Sequence, residues 1–210
     1  AYMPKKLGGI TYGVHLGQVY TDYSTGSFKV TDNTTDFAID GNGFFAIAFT
    51  DKQGNTSVKY TRDGSFTVNT EGYLVTKDGD YVLNATGAMN GDPSRNNFIQ
   101  VDPNATVTVN KMGYVIQNDQ VVGTLGVVDV DNYDYLEKYG ENMYNLLDGG
   151  NRIATDAKVE QGVLETSNVN VVNEMVNMIT IQRAYEANQK VITSIDSTLD
   201  RAVNNVGRVQ

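Results

Sequence analysis

The sequence contains no cysteine and no tryptophan, and its 210 residues include one histidine. The absence of cysteine excludes disulfides, thiolate nucleophiles and zinc–sulfur sites. Because His15 has no second histidine or cysteine to act with, the usual catalytic triads and metal clusters are excluded as well. Paired carboxylates can hydrolyse glycosides, but no pattern brings two of them to a cleft with aromatic sugar platforms. The sequence therefore predicts a protein that is not an enzyme and holds no cofactor and no metal.

Long apolar runs and an excess of positive charge are also missing. No run approaches the roughly 18 apolar residues of a membrane-spanning helix, so we expect no membrane insertion. The first residues, AYMPKKLGGITYG, lack the apolar stretch of a secretory signal. We expect either that a signal has been removed or that export uses another route. The net charge of −9 argues against binding to nucleic acid or to an anionic membrane.

Two short patterns suggest a ligand but lack the context that a ligand site needs. GNGFFA (Gly41 to Ala46) fits the dinucleotide pattern G-x-G-x-x-A, but an apolar strand follows it where a helix is required. We interpret it as a glycine turn. DVDNYD (129–134) places carboxylates close together, but it lacks the central glycine and final glutamate of a calcium loop. We interpret it as a solvated loop.

Short strand patterns separated by turns dominate the middle of the chain. The apolar run FAIAF (Phe45 to Phe49) is typical of a buried strand, and SFTV, YLVT, YVLN, TVTVN and GYVIQ follow it. Glycine pairs typical of hairpin turns separate the first group, and single glycines mark the joints of the second: Asp63-Gly64, Glu71-Gly72, Asp78-Gly79, Gly113 and Gly123. We predict a mainly β protein with an antiparallel sandwich or barrel-like body.

The chain divides into four predicted regions. An extended N-terminal connector (1–30) leads into the β-rich body (31–147), and an extended return segment (148–170) leads into a long C-terminal helix (171–207). We also expect one short helical turn within YLEKYGENMYNLLDGGNR (135–152), before its glycine pair.

The C-terminal helix is the strongest single prediction. NVVNEMVNMITIQRAYEANQK (Asn170 to Lys190) contains no glycine or proline, Asn170 is a suitable N-cap, and Gly207 is a suitable stop. The helix then spans about 36 residues, or roughly 54 Å. From Val171 to Gln210 acidic and basic residues are equal in number, so the whole net charge of −9 belongs to the preceding residues.

An apolar residue recurs at every seventh position of this helix. The set, called the seam below, comprises Val171, Met178, Tyr185, Ile192, Leu199 and Val206. A less regular stripe accompanies it: Ile181, Ala184, Val191, Ile195 and Ala202. Unbroken seven-residue spacing predicts a coiled-coil contact. Because a lone helix with a wet apolar side is marginally stable, either it folds back over its own sheet or its partner lies outside this chain.

Four stretches resemble the rod and hook proteins of the bacterial flagellum, most closely the distal-rod type. They occur in the family's order: DFAIDGNGFFAI (36–47), YTRDGSFTVNTEGYLVT (60–76), DNYDYLEKYGENMY (131–144) and GVLETSNVNVVNEMVNMITIQRAYEANQKVI (162–192). The family opens with a long N-terminal helix that this sequence does not show. We therefore expect that the segment has been removed by design or by processing.

The resemblance implies a structural subunit of the basal-body rod, outside the cytoplasmic membrane. In such proteins paired terminal helices stack into an inner tube around the export channel, and the β-domains form an outer layer of the drive shaft. The implied partners are copies of the chain, other axial proteins of the rod and hook, and the flagellar type III export apparatus. The implied interface residues are Val171, Met175, Met178, Tyr185, Ile192 and Leu199.

Three alternatives stay open at this point, and the third is an enzyme, which turnover lost on mutation of a single acidic residue would indicate. Within the family, the chain is a hook or proximal-rod subunit, although the small body favours rod over hook. Outside the family, it is a secreted β-rich adhesin that forms oligomers through its helix.

Overall fold

The computed structural model describes residues 21–206, in which sixteen short strands precede one long helix. His15, the first twenty residues of the predicted connector and Gly207 lie outside the described residues. The strands are β1 (Phe28–Val30), β2 (Phe37–Asp40), β3 (Phe44–Thr50), β4 (Thr56–Thr61), β5 (Phe66–Val68), β6 (Leu74–Thr76), β7 (Tyr81–Val82), β8 (Thr108–Val109), β9 (Tyr114–Gln117), β10 (Gln120–Thr124), β11 (Val127–Val130), β12 (Leu136–Tyr139), β13 (Met143–Leu146), β14 (Arg152–Ile153), β15 (Lys158–Gln161) and β16 (Val163–Glu165). The helices are α1 (Ala85–Asn90) and α2 (Val171–Val206), and short 3-10 turns occupy Arg95–Asn97 and Tyr133–Tyr135.

The strands form four sheets in which every described pairing is antiparallel. The largest sheet has nine strands, in the order β12-β13-β4-β3-β7-β6-β5, with β11 beside β3 and β14 beside β11. A three-stranded sheet (β10-β9-β8) and two ribbons (β1-β16 and β15-β2) complete the body. The predicted mainly β fold with a long C-terminal helix is confirmed, and the described strands form open sheets that do not close on themselves.

Strand β3 forms the centre of the body because both of its faces are buried. Phe44 packs with Tyr60 in one apolar core, and Phe45 packs with Phe37 and Ile39 in another. A strand covered on both sides needs apolar residues at consecutive positions, not at alternate ones. This explains the continuous run FAIAF and confirms that it is a buried strand.

The glycine-containing turns follow the prediction in part. Gly72 and Gly79 adopt positive φ angles of 81° and 95° in the turns that join β5 to β6 and β6 to β7. Such angles favour glycine, so these two hairpins are confirmed. The prediction of a hairpin at Asp63-Gly64 is wrong. The two strands on either side of this pair are β4 and β5, and β4 pairs with β3 and β13 and not with β5. Gly64 instead allows the backbone of Phe37 to approach closely.

In the second group of strands, β8 to β10, one of the two predicted glycine positions lies in a turn and the other does not. Gly113, with a φ angle of 80°, lies in the turn between β8 and β9, as expected. Gly123 lies inside β10, where the pairing register with β9 shifts. The turn between β9 and β10 is formed by Asn118 and Asp119, whose φ angles are 50° and 61°. Short polar side chains tolerate this left-handed conformation, so the turn needs no glycine.

The expected helical turn within residues 135–152 is wrong. Residues 136–146 form the hairpin of β12 and β13, which turns at Gly140 with a φ angle of 69°, and only Tyr135 belongs to a 3-10 turn. Strand β13 also pairs with β4, placing Tyr144 opposite Tyr60, and Lys59 Nζ donates to Asn145 Oδ1 at 2.8 Å. Pairing with a distant strand therefore decides the conformation of this segment.

The return segment contributes strands to the body. Within residues 148–170, β14 pairs with β11, β15 with β2, and β16 with β1. The segment is largely extended. It pairs with β1, the last part of the predicted connector, and α2 begins six residues after the end of β16.

Candidate subunit interface

Helix α2 begins at the predicted residue for the predicted reason. The side-chain oxygen of Asn170 accepts hydrogen bonds from the backbone N–H groups of Val172 and Asn173, at 3.1 and 3.2 Å. The carboxylate of Glu174 lies in the first turn, where the helix dipole favours negative charge. The 36 helical residues Val171–Val206 match the predicted length.

The surface of α2 is exposed to solvent from Val171 to Asn204. Every residue from Val171 to Asn204 is exposed, so the alternative in which the helix folds back over its own sheet is wrong. The six predicted interface residues have exposed fractions between 58% and 69%: Val171, Met175, Met178, Tyr185, Ile192 and Leu199. Large exposed apolar side chains at regular spacing are typical of an interaction surface.

The apolar surface is wider at the start of α2 than the seven-residue repeat indicates. Val172, Val176 and Ile179 are exposed and lie beside Met175 on one flank of the seam. Their spacing of four and three residues is the helical signal that would have identified them. After Ile181, the exposed residues Val191 and Ile195 lie on the other flank.

A two-stranded stem carries the chain from the body to α2. The stem comprises residues 22–30 and 162–169 and is held together by the ribbon of β1 and β16. Beyond the ribbon, the backbone N–H and the hydroxyl of Thr166 both donate to the carbonyl oxygen of Ser27 at 2.8 Å. The amide of Asn168 then donates to the carbonyl oxygens of Asp22 and Ser24, at 3.2 and 3.1 Å. Both stem segments are therefore joined up to the residues just before the helix.

An ion pair fastens the stem to the body. Arg62 Nε donates to Glu165 Oε2 at 2.8 Å, and the two side chains are only 15% and 10% exposed. The other guanidinium nitrogens donate to the carbonyl oxygens of Gly43 and Gly41, at 3.2 and 3.0 Å. Glu165 Oε1 accepts from the backbone N–H of Gly26 at 2.7 Å. The pair thus joins both segments of the stem to the turn between β2 and β3.

Aromatic packing supports the same junction. The ring of Tyr23, on the stem, lies 4.9 Å from Tyr133, 5.4 Å from Tyr144 and 6.0 Å from Phe44, measured between centroids. Burial raises the pKa of the Tyr144 hydroxyl, and the nearby hydroxyl of Tyr23 adds to the effect. Burial likewise raises the pKa of Tyr133 to about 12, reinforced by its hydrogen bond to Asp129. These hydroxyls stay protonated at neutral pH.

The two ligand-like sequence patterns have structural roles. GNGFFA turns from β2 into β3 at Gly41 and Gly43, whose φ angles are 128° and 140°, so the interpretation as a glycine turn is confirmed. In DVDNYD, the Asp131 carboxylate accepts hydrogen bonds from Asn151, which lower its pKa. Asp129 accepts from Tyr133 at 2.8 Å. Among residues 21–206, no group of three or more acidic or histidine side chains is placed to hold a metal ion.

Neither helix in the described part of the chain has the length and apolarity needed to cross a membrane.

Two family models match the chain over the elements described above. A model described as the flagellar hook protein FlgE/F/G D1 domain matches residues 38–117, which run from β2 to β9. A model described as the flagellar basal body rod FlgEFG protein C-terminal matches residues 160–205, which contain β16 and nearly all of α2. The matches therefore cover both the body and the helix.

Individual relatives cover almost the whole chain. A flagellar basal-body rod protein FlgF of Caulobacter vibrioides is 37% identical over 193 residues, which are 91% of this chain and 73% of the relative. A FlgG of Buchnera aphidicola subsp. Schizaphis graminum is 37% identical over 203 residues, with coverage of 92% and 74%. A FlgG of Bacillus subtilis is 33% identical over 203 residues, with coverage of 93% and 74%.

These matches confirm the resemblance found in the sequence. They identify a structural protein of the flagellum and not an enzyme, and they place it with the components of the basal body. The chain belongs to the family of flagellar basal-body rod proteins.

Proposed function

We propose that the chain is a subunit of the distal rod and polymerises into the hollow drive shaft that surrounds the export channel and transmits torque. The bare seam of α2 carries this proposal. A helix of 36 residues with apolar side chains in water gains stability when a neighbour covers it. The proposed neighbours are the helices of other copies of the chain and of other axial proteins.

The division of charge and of burial supports this role. The body has two buried cores and carries the net negative charge, whereas residues 171–210 have no net charge and those from Val171 to Asn204 are exposed. A neutral apolar helix packs against copies of itself without like-charge repulsion. The four predicted regions then have separate tasks: the helix builds the inner tube, the body forms an outer layer, and the connector and return segment join the two.

The distal position is the finer part of the proposal. The likeness of the four sequence stretches to the distal-rod type and the small body support it. Relatives named FlgF and FlgG are equally identical to this chain, at 37%, so a proximal-rod position is the alternative. We further propose contacts with neighbouring rod and hook proteins, and passage through the flagellar type III export apparatus.

A pair of matched double variants tests the role of the seam. Met178→Asp with Ile192→Asp places two charges on the seam, and Thr180→Asp with Ser194→Asp places two charges at the same spacing on the opposite face. Each variant replaces the native gene product, and swimming and the content of purified basal bodies are measured. We expect the seam variant to be absent from basal bodies and the cells to be non-motile, because each buried charge would lack a partner.

The control variant should assemble and support swimming. Both purified proteins should show the wild-type urea midpoint for the body, since these positions lie on the exposed helix. Incorporation of the seam variant at the level of the control would contradict the proposed function. Met112 is 78% exposed in the free chain, so Met112→Cys offers a single thiol for a label, and electron microscopy of labelled rods distinguishes the distal from the proximal part.

A further inference from the structure

A largely buried ion pair, Arg62 with Glu165, lies at the junction between the stem and the body. We propose that Arg62 is a positioning residue: it fixes the stem to the β-body, and thereby sets the direction in which α2 leaves the body. The inference rests on the proposed function, since it assigns a role in assembly to a residue that lies away from the bare face of α2.

The bonding of Arg62 gives the stem a single position. Its Nε donates to Glu165 of the stem, while its two terminal nitrogens donate to Gly43 and Gly41 of the body. A guanidinium is planar and its donors point in fixed directions, so it satisfies all these acceptors in one arrangement only. The same group lies 5.9 Å from the ring centre of Phe44, which restricts it further.

Burial of Arg62 and Glu165 stabilises this position of the stem against movement away from the body. Arg62 and Glu165 are 15% and 10% exposed, so movement of the stem away from the body would separate two largely buried opposite charges. Separation of a buried pair is much less favourable than separation of an exposed one, because each charge loses its partner before water replaces it. The described chain also offers a matched exposed pair, Arg95 with Glu71, whose side chains are 70% and 59% exposed.

Glu165 transmits this fixed position to both segments of the stem. Its second oxygen accepts from the backbone N–H of Gly26 at 2.7 Å. A Cβ atom at Gly26 would lie 1.8 Å from the carbonyl oxygen of Thr166, so the two segments approach as closely as they do only because residue 26 is glycine. Asn168 continues the connection to Asp22, and α2 begins three residues later.

In a polymer, one subunit must meet its neighbours through its body and its helix at the same time. A helix whose direction varies relative to the body satisfies one contact at the expense of the other. Loss of Arg62 should therefore impair assembly although α2 itself is unchanged.

Spin labels measure the position of the stem directly. The native chain has no cysteine, so Met112→Cys on the body and Val169→Cys at the end of the stem attach two labels without a background. Both positions are exposed, at 78% and 55%. In the free chain that carries only these two cysteine substitutions, the parent protein, we expect a narrow distribution of distances between the two labels. Arg62→Ala should broaden this distribution, and the control Arg95→Ala should leave it narrow. Incorporation into basal bodies is measured with the same substitutions in the unlabelled chain, where we expect it to be lost only for Arg62→Ala.

Two further variants keep the test decisive if Arg62→Ala unfolds the body. Glu165→Gln retains the size of the side chain but removes its charge, and Asn168→Ala removes the last connection within the exposed stem. We expect both to broaden the distribution while the urea midpoint of the body stays close to that of the parent. A narrow distribution in every folded variant would overturn the inference, and so would normal incorporation of a variant with a broad distribution. Failure of the wild-type chain to enter basal bodies would contradict the proposed function instead, and the label distances would still report on Arg62.

Discussion

The backbones of Gly64 and Phe37 contact each other in both directions. The N–H of Phe37 donates to the carbonyl oxygen of Gly64 at 3.0 Å, and a Cβ atom at Gly64 would lie 1.9 Å from the carbonyl oxygen of Phe37. Phe37 is completely buried in one of the two cores. Because the obstacle is backbone in a buried strand, it cannot move aside as a flexible side chain would.

Gly64→Ala should therefore destabilise the body strongly. We expect the free energy of unfolding to fall by about 3 kcal/mol, because the added methyl group displaces β2 from its core. Urea unfolding of the purified chain measures the change.

Gly123→Ala is the matched control. A Cβ atom at Gly123 meets only the side chain of Ile99, at an ordinary distance of 3.7 Å. Its effect should stay within about 1 kcal/mol. Equal effects of the two substitutions would show that the approach of Gly64 to Phe37 contributes nothing to stability.

Tyr133 should make the folded body less stable as the pH becomes alkaline. Burial, the hydrogen bond to Asp129 and the charge of that carboxylate raise the pKa of Tyr133 to about 12 from the ordinary value of 10.0. Between these two values the folded state retains a proton that the unfolded state has lost. The contribution of Tyr133 is thus complete below about pH 10 and is lost as the pH rises to about 12.

Tyr133→Phe isolates this contribution, because phenylalanine packs similarly but does not titrate. We expect the wild type to lose more unfolding free energy than the variant when urea unfolding at pH 9 is compared with unfolding at about pH 11. The absorbance of tyrosinate in the folded state should show the corresponding late ionisation. A stability difference that stays constant over this range would show that the pKa of Tyr133 is not raised in the folded state.

Features whose cause lies within a few residues were predictable from the sequence. Asn170 begins α2 because its side chain satisfies N–H groups two and three residues away. Gly72 and Gly79 mark hairpins because of their own backbone angles. The seven-residue repeat likewise predicted the positions of the exposed seam, although it missed the wider apolar flank at Val172 and Val176.

Features that depend on distant segments were not predictable in this way. Arg62 and Glu165 are 103 positions apart, and no local pattern connects them. Gly64 resembles a hairpin glycine in the sequence, but its role depends on Phe37 in another strand. Helix α1 was also missed, since its six residues include a glycine and it depends on a cap from Asn84, which accepts from the N–H of Gly87 at 2.8 Å.

Thiol protection at two neighbouring positions of α2 tests the central claim most directly: the seam is bare in the free subunit and covered in the rod. Ile192→Cys lies on the seam and Ser194→Cys on the opposite face, and the native chain contributes no thiol of its own. Each single-cysteine protein reacts with a bulky maleimide, first as the free chain and then within purified basal bodies. The account predicts rapid reaction at both positions in the free chain and, after assembly, much stronger protection at position 192 than at position 194. Equal reactivity of the two positions in assembled rods would contradict it.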